Sequence, residues 1–134
     1  MDDPKISVAG IAFEGGKLFI ARRIPGGDLG EKWEFPGGKA EKGEGDEEAL
    51  IREFREEFNT GIRVGAFLAS AVFEHRGISR RLKAYRVAFT AHEFTLAEHT
   101  EWAWASFEEI EKLAFAESDR KLFPALKNYF NRNP

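Results

Sequence analysis

The chain has 134 residues, 43% of them hydrophobic and 32% charged, with a formal net charge of −3 and no cysteine. A single domain over residues 1–134 is expected from that length, with an ordinary globular composition and neither disulfides nor thiol chemistry. The acidic balance and the lack of any Lys/Arg run argue against a nucleic-acid polymer as partner. The start, MDDPKISVAG, lacks the basic and apolar regions of a secretory signal. The longest uncharged run, Val64 to Phe73, falls short of the ~20 residues a membrane span needs. A cytoplasmic protein without a membrane partner is the expectation.

Ile6 to Phe13 is a continuous β-prone run that suits one strand covered on both faces. Glu14-Gly15-Gly16-Lys17 predicts a hairpin turn, with Leu18 to Arg22 returning antiparallel. Ile24 to Lys32 reads as a Gly-rich loop, and Trp33 to Pro36 as a short extended segment, since Pro36 holds Phe35 extended. Gly37-Gly38 then lets the backbone turn with its carbonyls free. Ile62 to His75 predicts a strand with an irregularity at Gly65, and Ser79 to Phe94 its returning partner. Glu101 to Ala105 is a short strand, and Ser106-Phe-Glu-Glu109 a capping box opening a helix to about Leu113. Ser118 is placed to cap a last helix carrying Leu122, Leu126 and Phe130, which Pro124 kinks or delays.

The segment between the hairpins carries the chemistry. From Glu44 to Glu57 the acids Glu44, Asp46, Glu47, Glu48, Glu53, Glu56 and Glu57 outnumber Arg52 and Arg55. Asp46 to Glu48 suit the positive end of a helix dipole, whereas Glu56 and Glu57 in the last turn oppose it. At about 100° per residue, Ala49, Glu53, Glu56 and Glu57 share one arc, and Leu50, Ile51, Phe54 and Phe58 form a neighbouring one that packs on the core. Clustered carboxylates resist ionising together unless a cation joins them, and hard oxygen ligands suit Mg²⁺ or Mn²⁺. The competing reading is a solvated acidic face.

The string from Gly38 resembles the signature of the Nudix hydrolases, G-x5-E-x7-R-E-U-x-E-E-x-G-U, with U a bulky apolar residue. Gly38, Glu44, Arg52-Glu53-Phe54 and Glu56-Glu57 stand at the required spacing. Asn59 and Thr60 replace the final glycine and apolar residue. Asn tolerates the left-handed conformation that ends a helix, so the change is expected to be accommodated. The resemblance extends over nearly the whole chain and is nearest to the MutT-like branch. It implies an α+β fold, an α/β/α sandwich with a mixed β-sheet flanked by helices.

The resemblance also implies a site. Its catalytic set is Glu53, Arg52, Glu56 and Glu57. Glu53, Glu56 and Glu57 ligate Mg²⁺, or Mn²⁺ as substitute, with the carbonyl of Gly37 or Gly38. A further acid comes from the loop before the Trp104 strand, where Glu98 competes with Glu101, and the general base is Glu53 or Glu98. Arg52 orients a carboxylate and Glu44 supports the loop. Lys39 either touches the polyphosphate or is solvated. Arg23, Phe35 and Asp119 fall where relatives contact the base; the bland reading of Phe35 is a core residue and that of Asp119 a helix-start acid. His75 belongs on the pocket rim, whereas His92 and His99 read as surface positions. Trp33, Trp102 and Trp104 read as packing. The activity implied is hydrolysis of a nucleoside triphosphate to monophosphate and pyrophosphate, by a monomer or homodimer. Oxidised guanine nucleotides come first, as in the nucleotide-pool sanitation that supports DNA repair, and CTP or modified dCTP second. A nucleotide sugar or dinucleotide substrate, and a non-catalytic nucleotide-binding domain, are the rivals.

Overall fold

Residues 5–134 are described by the computed structural model; the acidic start discussed above lies partly in Met1–Pro4, outside the described residues. In chain order the elements are β1 (Lys5–Ile11), β2 (Phe13–Glu14), β3 (Lys17–Arg23), β4 (Trp33–Glu34), β5 (Gly37–Lys39), α1 (Asp46–Phe58), β6 (Ile62–His75), β7 (Ile78–Phe89), β8 (His99–Ala105), α2 (Phe107–Glu111), α3 (Glu117–Arg120) and α4 (Phe123–Arg132). They form two sheets. The mixed one runs β5-β1-β7-β6, with β1 parallel to β7 and antiparallel to β5. In the other, β3 pairs antiparallel with β2, β4 and β8.

Side chains that alternate along the strands separate two cores, because successive residues point to opposite faces. On one side Val8, Phe19 and Val87 meet Ala49, Leu50, Phe54 and Phe58 of α1. On the other, Ala9, Ile20, Leu82 and Ala84 meet Ile110, Leu122, Leu126 and Phe130. Helices therefore cover both faces of an α+β sandwich, as the resemblance implied, with the expected single sheet divided in two.

Several local expectations change. The Ile6–Phe13 run is two strands, because β1 pairs with β5 and β7 whereas β2 joins β3 in the other sheet. A uniformly β-prone run carries no mark of such a change. Gly37 and Gly38 are strand residues of β5, not a turn. Ile51 remains 37% exposed, because the buried face of α1 is filled by Leu50, Phe54, Phe58 and Ala49. β7 stops at Phe89, where the Thr90 N–H turns to the Gly61 carbonyl. The last helix is split: Ala116 and not Ser118 is the N-cap of α3, and Pro124 lies in the first turn of α4. The β6 irregularity follows Val64 as expected, Asn59 ends α1 at φ 52 and ψ 42, and Ser106 forms its capping box with Glu109.

Phe54 is fully buried and anchors α1 on the mixed sheet. Phe54→Ala is expected to lower unfolding free energy by about 3–5 kcal/mol, the usual cost of emptying a buried aromatic site. Urea unfolding followed by tryptophan fluorescence measures it, and a change under 1 kcal/mol would contradict the anchoring role (roughly a surface-substitution effect).

Candidate active site

Arg52 organises the carboxylates on α1. Its Nε and Nη2 donate to the two oxygens of Glu44 at 2.8 and 3.0 Å. Its Nη1 donates to Glu53 at 3.0 Å and to Glu56 at 3.2 Å, and Nη2 also donates to the Lys39 carbonyl at 3.0 Å. Bidentate binding to Arg52, with the Glu41 N–H as second donor, holds the Glu44 carboxyl down at about 2. Glu44 is thereby a brace between the loop and the helix, as expected. The Glu56 side chain remains 60% exposed.

Glu53 and Glu57 face inward. Burial raises the Glu53 carboxyl above its ordinary value despite the bond to Arg52. Glu57 is 2% exposed. Its carboxyl is pushed up to about 10, first by burial and then by the nearby charges of Glu34, Glu53 and Glu98. Its Oε2 is buried without a hydrogen-bond partner. An isolated buried carboxylate is costly, so the ionised form of Glu57 needs a cation beside it and otherwise the group holds its proton.

The glycines make room for this arrangement. A Cβ on Gly38 would lie 2.6 Å from the Glu53 carboxylate, and one on Gly37 would lie 1.9 Å from the Val8 carbonyl oxygen. The β1/β5 register pairs Val8 with Gly38, and the flanking bonds run from Gly10 N–H to the Pro36 carbonyl and from Ala40 N–H to the Ile6 carbonyl. In an antiparallel ladder hydrogen-bonded pairs alternate, so the Gly38 carbonyl is used by Val8 and the Gly37 carbonyl faces the free edge. Lys39, on that same edge, already gives its carbonyl to Arg52.

Two neighbours of Glu57 escaped the sequence reading. His99 is buried, not a surface residue; its Nε2 lies 2.9 Å from Glu34 Oε2, and its ring stacks on Phe58. Glu34, also buried, receives Arg23 Nη1 at 3.4 Å on the same oxygen. One ligand atom each from Glu34, Glu57 and His99 lies within 4.8 Å of the others. The available signal was an acid flanked by Trp33 and Phe35 in a short β segment, and a histidine adjoining Glu98. Glu98 is brought to Glu57 because the Thr95 and Ala97 N–H groups take the last carbonyls of α1, those of Phe58 and Glu57. Glu101 turns away to Arg22 at 3.1 Å.

A cavity of about 510 Å³ opens beside this cluster, and Arg23, Phe35, Gly37, Gly38, Lys39 and Asp119 all line it. His75 lines it too, as expected of a rim residue, whereas His92 pairs with Glu14 outside it. Asp119 is buried, accepting from the Phe35 N–H at 2.8 Å and the Ser118 hydroxyl at 3.3 Å. Burial, then the charge of Glu34, pushes its carboxyl up to about 7. Phe35 is both core and cavity wall, packed against Phe115 and Phe123.

A model of the NUDIX domain matches residues 3–126. The chain belongs to the Nudix family. The CTP pyrophosphohydrolase of Escherichia coli is 36% identical over 118 residues, 88% of this chain and 87% of that protein. A Mycobacterium tuberculosis protein named putative 8-oxo-dGTP diphosphatase 2 is 31% identical, over 87% of this chain and 83% of its own. The solution structure of the E. coli ORF135 protein superposes with a TM-score of 0.87 at 33% identity, covering 98% of this chain and 94% of the other. The protein is a Nudix hydrolase, and the family's divalent cation fits the donors present. These are hard carboxylate oxygens, an unpartnered one on Glu57 among them, and a free carbonyl on a glycine edge.

Glu57→Gln keeps the side-chain volume and removes the ionisable group. A folded-state value near 10 against an ordinary 4.5 means the folded protein binds this proton more tightly. Without divalent ions, wild-type stability is therefore expected to fall as pH climbs through that interval, and less so in the variant. Mg²⁺ or Mn²⁺ should raise the wild-type melting temperature at pH 8 and leave Glu57→Gln unmoved. Melts across pH, in EDTA and in metal, measure both effects; an equal metal response in the two proteins would contradict them.

Proposed function

We propose that this Nudix hydrolase converts a nucleoside triphosphate to the monophosphate and pyrophosphate, with a cytidine nucleotide as preferred substrate. The observation that carries the reading is the partnerless buried oxygen of Glu57 beside half-buried Glu53, next to a cavity holding the neutral-leaning carboxyl of Asp119. Glu53, Glu56, Glu57 and Glu98, with the Gly37 carbonyl, would hold Mg²⁺ or Mn²⁺. When bound, such an ion polarises phosphoryl oxygens and acidifies bound water.

The chain's own residues divide the remaining work. Glu53, its proton affinity raised by burial, is the general base that takes a proton from the attacking water. Arg52 fixes the Glu53 carboxylate through Nη1, so the base cannot rotate away. Lys39 meets the polyphosphate where the cavity reaches β5. Arg23, steadied by Glu34, donates to the nucleoside, and Phe35 walls the base. A single domain over residues 1–134, acting in the cytoplasm on the nucleotide pool, completes the reading.

Asp119 decides the order of substrates. Burial and the charge of Glu34 favour its neutral form well beyond that of an ordinary aspartate. A neutral carboxyl offers one donor and one acceptor, which matches the ring nitrogen and 4-amino group of cytosine. Guanine presents two adjacent donors and requires the ionised carboxylate that burial and Glu34 disfavour. Cytidine is therefore placed ahead of the oxidised guanine nucleotides that the sequence put first. The E. coli relative named as a CTP pyrophosphohydrolase supports this order. The mycobacterial relative, by its name, favours oxidised dGTP as the second reading, served by the ionised form of Asp119.

Turnover of CTP, 5-substituted dCTP, dGTP and 8-oxo-dGTP with Mg²⁺ and Mn²⁺ tests the proposal. The cytidine substrates are expected to exceed 8-oxo-dGTP in kcat/KM, and the reverse order overturns the base assignment. Failure to hydrolyse any triphosphate overturns the activity. Glu53→Gln is expected to lose about 10²–10⁴-fold in kcat, the usual contribution of a general base, with its melting curve retained.

A further inference from the structure

Arg80 is a buried cation that the chemistry above leaves unused. It is 8% exposed, its Nε is buried without a hydrogen-bond partner, and among the described residues no carboxylate lies within ion-pair distance of it. Structural arginines at such depth are normally paired, because an uncompensated buried charge is expensive. Arg80 instead lines the same cavity as Phe35 and Asp119. Of the other cavity cations, Arg23 is engaged by Glu34, Lys39 is exposed and Lys32 is only half-buried, so Arg80 alone of the four is buried.

Strand geometry fixes where along the cavity it works. On β7, Arg80, Leu82 and Ala84 are buried in alternation, so they share one face of the mixed sheet. Ala84 pairs with Ala9, which pairs on its other side with Gly37. Lys39 pairs through Ser7 with Leu82, so Arg80 lies two positions along β7 beyond the Lys39 rung, ~7 Å, and four beyond the Gly37 rung. At its own rung it pairs with Phe73, an apolar wall.

We propose that Arg80 is a specificity-determining residue that donates to a carbonyl oxygen of the bound nucleobase. The proposal rests on the cavity being the nucleoside site. A guanidinium with no acid to satisfy it presents only donors, and it rewards a base that brings an acceptor: O2 of cytosine, or O6 of guanine. A base with no carbonyl leaves those donors unpaired, which is how a built polar site discriminates.

The test is equilibrium binding of nucleoside monophosphates, where no turnover is required. Wild type, Arg80→Met and Arg80→Lys are compared on CMP, GMP, AMP and purine riboside 5′-monophosphate; the last two carry no carbonyl on the base. Arg80→Met is expected to weaken the carbonyl-bearing ligand that wild type prefers by at least tenfold, and to change AMP and purine riboside monophosphate by less than twofold. Arg80→Lys, which keeps the charge and loses the planar fork, should fall between. With the matching triphosphate, KM should rise in parallel while kcat stays within twofold. Unchanged CMP and GMP affinity in a folded Arg80→Met overturns the proposal, and so does an equal loss on all four ligands. If Arg80→Met does not fold, wild-type affinity in Arg80→Lys overturns it instead. Wild type binding none of the four overturns the nucleoside reading of the cavity itself.

Discussion

Everything at this site depends on how one guanidinium is shared. Arg52 binds Glu44, Glu53, Glu56 and the Lys39 carbonyl, so a loop, the free edge of β5 and two faces of α1 meet at a single planar group. The fork geometry of arginine makes this possible, since several donors diverge from one rigid plane. Its charge satisfies the outer acids only. Glu57, one turn further and deeper, receives nothing from it, and the burial that excludes water there leaves the carboxylate in want of a cation. The repulsion in the cluster is therefore concentrated at the position where a divalent ion is useful.

The sandwich places the two halves of the site on opposite sides of one strand. β5 is three residues long, and its glycines leave no side chain between the helix carboxylates and the cavity. Gly38 faces Glu53 on the α1 side, whereas Gly37 and Lys39 belong to the face of Ala9 and Leu82, where the cavity lies. Glu34 ties the halves together electrostatically. It touches Arg23 and His99, raises the proton affinity of Glu57, and does the same to Asp119. Changes at the α1 carboxylates and at Asp119 are thus linked through Glu34.

The sequence was most legible where its information is local. The spacing from Gly38 to Glu57, the acidic first turn, the Ser106 box and the left-handed Asn59 depend on neighbours within a few residues, and each is found as read. It was least legible where faces are decided by the opposite layer. Ile51 lies off the buried face because Leu50, Phe54 and Phe58 already fill it, and the Ile6–Phe13 run changes sheet because its successive partners lie in different sheets.

Taken alone, the amino-acid order determined the family, the α+β architecture and the carboxylates of α1, since helical periodicity brings residues three and four apart onto one surface. Tertiary structure decided which carboxylates are buried, which stay wet, and which distant groups answer them. Glu34 and His99 are separated by 65 positions, and Phe35 and Asp119 by 84. Burial and proton affinity arise only when such segments meet, because desolvation is a property of the surroundings and not of the residue. For that reason Glu34 and His99 carried only a weak local mark and Arg80 none, although each is ordinary in type and distinctive in place.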